Sequence, residues 1–90
     1  MARADATALQ PLLPLLRQLR EIKGLKETQP GVFQARREAF IQIHDEGGAL
    51  HAEMKKPGGA GVDRYPLATA VEQRKLLDDA KLRARRFDDE

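Results

Sequence analysis

An α+β domain is the fold class this sequence predicts, and three features of its pattern carry that reading. Apolar residues recur every three or four positions toward both ends of the chain, they alternate across its middle, and Pro30-Gly31 marks the change of period. The expected arrangement is an N-terminal helix, a four-stranded antiparallel meander and a C-terminal helix in two layers. Both helices are expected on the apolar side of the sheet. With 90 residues, 41% of them hydrophobic and 33% charged, the chain has material for one small domain over 1–90. Residues 1–7 and 88–90 are expected to fray.

In the first helix Leu9, Leu12, Leu13, Leu16, Leu19 and Ile22 form the apolar stripe, and Arg17, Arg20, Glu21 and Lys23 lie opposite. Thr7 followed by Gln10 has the spacing of a capping box, and Gly24 is the expected end signal. Pro11 fits a first turn. Pro14 would remove an internal hydrogen bond, so the regular helix should begin near Leu12 or kink at Pro14. The stretch from Leu15 to Lys23 is the most regular.

Val32–Arg36 fits a first strand, with a tight turn around Arg37-Glu38. Residues 39–44 and 49–54 then alternate on either side of Asp45-Glu46-Gly47-Gly48, the hairpin signal of the chain. A four-residue loop would set Ile43 against Leu50, whereas a loop of Gly47-Gly48 alone would set Ile43 against Ala52 and Ile41 against Met54. The two registers differ by an even number of residues, so both give the same faces. One face is apolar. The other is expected to carry Phe40, Gln42, His44, His51 and Glu53 toward solvent. Lys55 to Gly61 reads as a loop and Val62–Leu67 as a fourth strand, which Pro66 confines to a sheet edge. Thr69-Ala70-Val71-Glu72 is a capping box opening a helix whose apolar positions are Val71, Leu76, Leu77, Ala80, Ala84 and Phe87. Lys81, Arg83, Arg85 and Arg86 sit toward its C-terminus, where the helix dipole favours cations.

The absence of cysteine removes disulfides, thiolate metal sites and cysteine nucleophiles, and the absence of serine removes the serine nucleophile. The histidines, His44 and His51, share a face of the hairpin. Two imidazoles so placed can bind zinc or another divalent metal, with Glu53 or Asp45 as a further ligand. The plainer expectation is a pair of solvated rings and no cofactor. Acid–base catalysis by the pair would need a pocket that a thin two-layer domain does not obviously supply, so an enzyme is the second choice. Gly58-Gly59-Ala60-Gly61 lacks the lysine and the following helix of a phosphate-binding loop, although Lys55, Lys56 and Arg64 beside it could hold an anion.

Sixteen basic against fourteen acidic residues leave a formal charge of +2. A nucleic-acid site would draw on Arg36, Arg37, Lys55, Lys56 and Arg64 with Phe40 and Tyr65 as stacking surfaces. Acidic residues are interspersed among these, which disfavours it. A protein partner or a second copy, met through Phe40 or an edge strand, is the better expectation. No apolar run has the length of a membrane span and the start lacks a signal-peptide pattern, so the expected setting is cytoplasmic.

Gly31-Val32-Phe33, Ala39-Phe40-Ile41-Gln42-Ile43-His44-Asp45-Glu46, Gly48-Ala49-Leu50-His51-Ala52-Glu53 and Asp63-Arg64-Tyr65-Pro66-Leu67, followed by Glu72-Gln73, together resemble a group of small bacterial proteins. Those proteins typically read Ala-Phe-Leu-His-Phe-His, then acidic residues, and are related to the luciferase-like domain family. The resemblance covers about residues 31 to 80. It implies the α+β fold and a bacterial, cytoplasmic setting, and it brings no established activity. Gln42 stands where the group has its first histidine, and His44 matches the second. The function expected is therefore a non-catalytic binding or interaction module. Its site would comprise Phe40, Gln42, His44, His51, Glu53 and Arg64; a metal- or histidine-dependent enzyme on the same face is the alternative, and a weak nucleic-acid binder the third.

Overall fold

The computed structural model describes residues 2–3, 7–36, 38–56 and 61–89. Six strands and two helices follow one another as β1 (Ala2–Arg3), α1 (Leu13–Arg20), β2 (Leu25–Gln29), β3 (Val32–Ala35), β4 (Glu38–Glu46), β5 (Ala49–Lys55), β6 (Val62–Pro66) and α2 (Ala70–Asp89). A single 3-10 turn, Gln10–Leu12, leads into α1.

The prolines explain that entry. Pro11 lies in the 3-10 turn and Pro14 in the first turn of α1, where a missing N–H costs little, so the regular helix begins just after Leu12 without an internal kink. Leu12, Leu15, Leu16 and Leu19 are buried along one side. The Thr7–Gln10 capping box does not form: neither helical segment has a side-chain cap, and the Gln10 N–H instead donates to the Thr7 carbonyl at 3.2 Å. Beyond α1, Gly24 turns the chain with φ +94° into a strand.

That strand, β2, is an addition to the expected meander. Pro30-Gly31 is therefore the turn of a β2–β3 hairpin, within the sheet rather than between helix and sheet. Gly31 is required there, since its φ is +76° and a Cβ would come within 3.1 Å of Leu9 Cδ1. The sheet order is β2-β3-β4-β5-β6, all antiparallel, and β1 pairs with the far part of β4 through Ala2↔Asp45 and Arg3↔His44. The first residues, expected to fray, thus include a backbone ladder.

Both helices cover one face. Phe33, Ile41, Ile43, Ala52, Met54 and Tyr65 meet the α1 leucines and Leu76, Leu77 and Ala80 of α2 in one core. Each fully buried large aliphatic side chain there contributes about 1.5–3 kcal/mol before entropy is counted. Thr69 and Glu72 close the expected capping box: the Thr69 N–H donates to Glu72 Oε1 at 3.0 Å, and the Glu72 N–H donates to Thr69 Oγ1 at 3.1 Å. Val71, expected inward, is 80% exposed because it falls in the first turn, before α2 reaches the sheet. The helix runs through Asp89, past the point where fraying was expected. Among the described residues no helix is long and apolar enough to cross a membrane.

Candidate functional site

The β4–β5 hairpin sets the candidate residues in place. Gly47 and Gly48 have φ of +63° and +90°, the left-handed pair that a two-residue hairpin turn needs, and the Gly48 N–H donates to Asp45 Oδ1 at 2.8 Å. This selects the shorter of the two anticipated loops. His44 then lies directly opposite His51, Gln42 opposite Glu53, and Glu53 opposite Arg64 on β6. These five side chains share the sheet face turned away from the helices. Val32 joins them from β3, opposite Gln42.

Phe40 does not belong to that face. The β3–β4 register pairs Phe33 with Ile41 but Gln34 with Ala39, so β4 carries one extra residue between the two pairs. A bulge of this kind resets the alternation. Ala39 is consequently exposed, and Phe40, 2% exposed, turns into the core. Removing Phe40 from the anticipated site removes its one large apolar contact surface.

His51 is buried and His44 half-buried, which corrects the expectation of solvated rings. The His51 residue is 4% exposed, and the His44 side chain 14%. Their rings stack with centroids 5.3 Å apart and planes 25° from parallel. Arg64 Nη2 approaches His51 Nδ1 at 3.4 Å, and Arg64 itself is held by the Glu46 carboxylate. Arginine can only donate, so this contact leaves His51 Nδ1 as the acceptor and puts the proton of the neutral ring on Nε2. Glu53 Oε1 lies 2.7 Å from His44 Nε2 but without the alignment of a hydrogen bond. Both nitrogens of His44 and Nε2 of His51 are buried with no hydrogen-bond partner. Burial, then the Arg64 guanidinium and the His44 ring, push the His51 pKa below its ordinary 6.5, with Glu46 and Glu53 opposing.

As ligands the two imidazoles and Glu53 are the right chemical types for zinc. Their present arrangement is not a metal cage: among the described residues no three metal-ligating side chains converge. A shallow depression of about 100 Å³ borders Gln42 and Glu53, below the ~300–1,000 Å³ of ordinary small-molecule pockets.

The other anticipated groups separate. Lys55 pairs with Glu38, and Lys56 Nζ lies 3.7 Å from Asp63 Oδ1, so with Arg64 on Glu46 the three cations of the anticipated anion cradle already face carboxylates. Gly58, Gly59 and Ala60 lie outside the described residues, as does Arg37. Tyr65 is no stacking surface: it is 7% exposed, faces α2, and its hydroxyl donates to Asp79 Oδ2 at 2.8 Å. Burial and that acceptor push its pKa up to about 12. With Phe40 also in the core, neither aromatic proposed for nucleic-acid stacking is available.

One cluster had no signal in the sequence. Arg83, expected to serve the helix dipole, reaches back to the sheet instead. It donates to Asp63 Oδ2 at 2.6 Å and to the Lys55 carbonyl at 3.1 Å, with its guanidinium 5.8 Å from the Tyr65 ring centroid. The Arg83 contact holds the Asp63 carboxyl below its ordinary 3.8. Comparison of the chain with protein-family models, with curated proteins and with solved structures finds no match.

Proposed function

We propose that this chain is a non-catalytic binding module whose site is the helix-free sheet face centred on His44 and His51, flanked by Gln42, Glu53 and Arg64. One observation carries the reading: His44 Nδ1 and His51 Nε2 are buried without a hydrogen-bond partner, beside the contact of His44 Nε2 with the Glu53 carboxylate, on a face that no core requirement assigns to histidine. Buried polar atoms are paired in the great majority of folded proteins, so a group of unpaired ones is a place where binding gains hydrogen bonds at no cost in broken ones.

Native mass spectrometry on the chain purified without chelator tests this, comparing the wild type with His44→Gln and His51→Gln. A defined added mass on the wild type, lost from folded variants, is the expected result. The bare chain alone, or the same addition on both variants, overturns the proposal.

A metal-dependent reading has one observation in its favour, the approach of the Glu53 carboxylate to His44 beside a second neutral imidazole. Rotation of the rings out of their stack would be needed to aim the lone pairs at one ion. An added mass equal to a divalent metal would select this reading.

A further inference from the structure

A second candidate site lies in the other layer of the molecule. The loop after α1 and the C-terminal half of α2 border an open cleft of about 460 Å³, within the range of small-molecule sites. Ile22, which packs against the core, and Ala84, 3% exposed, supply its apolar lining. Lys23, Lys81 and Arg85 also line it, with Glu21 as the one carboxylate. Lys81 and Arg85 are four residues apart, so they project from the same side of α2.

The charges in this cleft differ from those on the sheet. Lys55, Arg64 and Arg83 each contact a carboxylate, whereas Lys23, Lys81 and Arg85 make no ion pair among the described residues. The helix dipole does not account for Lys81, which lies two turns before the end of α2 and beyond the last-turn reach of that effect. Three cations against one carboxylate, set around apolar side chains, form a site with a net positive rim.

We propose that this cleft binds a small organic anion, with its apolar body against Ile22 and Ala84 and its charged group held by Lys23, Lys81 and Arg85. The excess of positive charge selects an anion over a cation. The apolar lining selects an organic ion over a bare one, because removing a hydrocarbon body from water favours binding there.

Octyl phosphate, inorganic phosphate and octanol serve as probes, followed by the backbone amide signals of the full chain. Octyl phosphate should give saturable shifts at Ile22, Lys23 and Lys81 through Arg85, with tighter binding than either fragment probe. Lys81→Glu combined with Arg85→Glu should weaken it about tenfold or more, since two attractions to the anion are lost and two repulsions replace them. Circular dichroism shows whether that variant keeps its helices, and Lys23→Glu, in the loop, repeats the test if it does not. His51→Gln should leave octyl phosphate binding unchanged, which separates this cleft from the histidine face. No saturable shift, equal binding of inorganic phosphate or octanol, or undiminished binding by the folded charge-reversed chain would overturn the proposal.

Discussion

The two faces of the sheet bury polar groups in opposite ways. Beneath the helices Tyr65 has Asp79, and Arg83 has Asp63 and the Lys55 carbonyl, so each polar group removed from water has regained a partner. On the other face the stacked His44 and His51 rings leave His44 Nδ1 and His51 Nε2 buried without a hydrogen-bond partner. The same strands build both faces, since Ile41 and Ile43 alternate with Gln42 and His44 along β4. Paired burial fastens the fold, whereas unpaired burial costs stability that a purely structural face has no reason to give up.

The sharpest test of this contrast is Phe40, which the sequence pattern alone would put with the histidines. Phe40→Ala should destabilise the chain by about 3–5 kcal/mol in urea unfolding, the cost of emptying a core aromatic site. A loss within ~0.5 kcal/mol would return Phe40 to the surface and undo the bulge.

Next in size is the alkaline limb of stability. Folded Tyr65 keeps its proton to about pH 12 against an ordinary 10.0, so its contribution is full below pH 10 and is lost as pH rises from 10 toward 12. At ~1.4 kcal/mol per unit this amounts to at most about 2–3 kcal/mol. Tyr65→Phe should remove that part of the slope, and an unchanged slope in the variant would show the hydroxyl to be unimportant.

The histidine face should respond on the acid side. Folded His51 holds a proton less tightly than an unfolded histidine, which titrates at 6.5. Above 6.5 the ring is neutral in both states and contributes nothing to the pH dependence. As pH falls through 6.5 the unfolded chain takes up protons first, and stability declines until the lowered folded pKa is passed. Arg64 from β6 and His44 from β4 oppose the charge, with Glu46 and Glu53 favouring it. His51→Gln should flatten the profile in this window, while the contribution of Asp63 enters only at more acid pH, below 3.8. Matching profiles for the two chains would remove His51 as the sensor.

Smallest is Arg64→Gln. Its pair with Glu46 is more than half exposed on both sides, so the loss should stay within about 1 kcal/mol. A larger loss would mean that Arg64 fastens the histidine face as Arg83 fastens the other.

Local chemistry made much of this fold legible. Gly47-Gly48 could only be a turn between alternating runs, Thr69 and Glu72 had the spacing of their reciprocal cap, and Pro66 could only end or edge a strand. What the pattern did not carry depended on partners distant in sequence. Leu25–Gln29 has one large apolar residue among polar ones, and becomes a strand because β3 is there to pair with it. The extra residue at Phe40 is set by the pairing of β3 with β4 rather than by the alternation of β4 alone. His44 and His51 could be placed together from the hairpin, but their burial could not be read, because alternation assigns a side and not the cover over it.

The order of the sheet also bears on how the chain reaches this structure. Along β2 to β6 each strand lies beside its predecessor, so every ladder closes a short loop and costs little chain entropy. The sequence-distant meetings among the described residues include the β1–β4 ladder, Ala2↔Asp45, and the approach of α1 to α2 across the whole meander. Assembly by neighbouring hairpins followed by helix docking would make that last, sequence-distant encounter the step governing the folding rate.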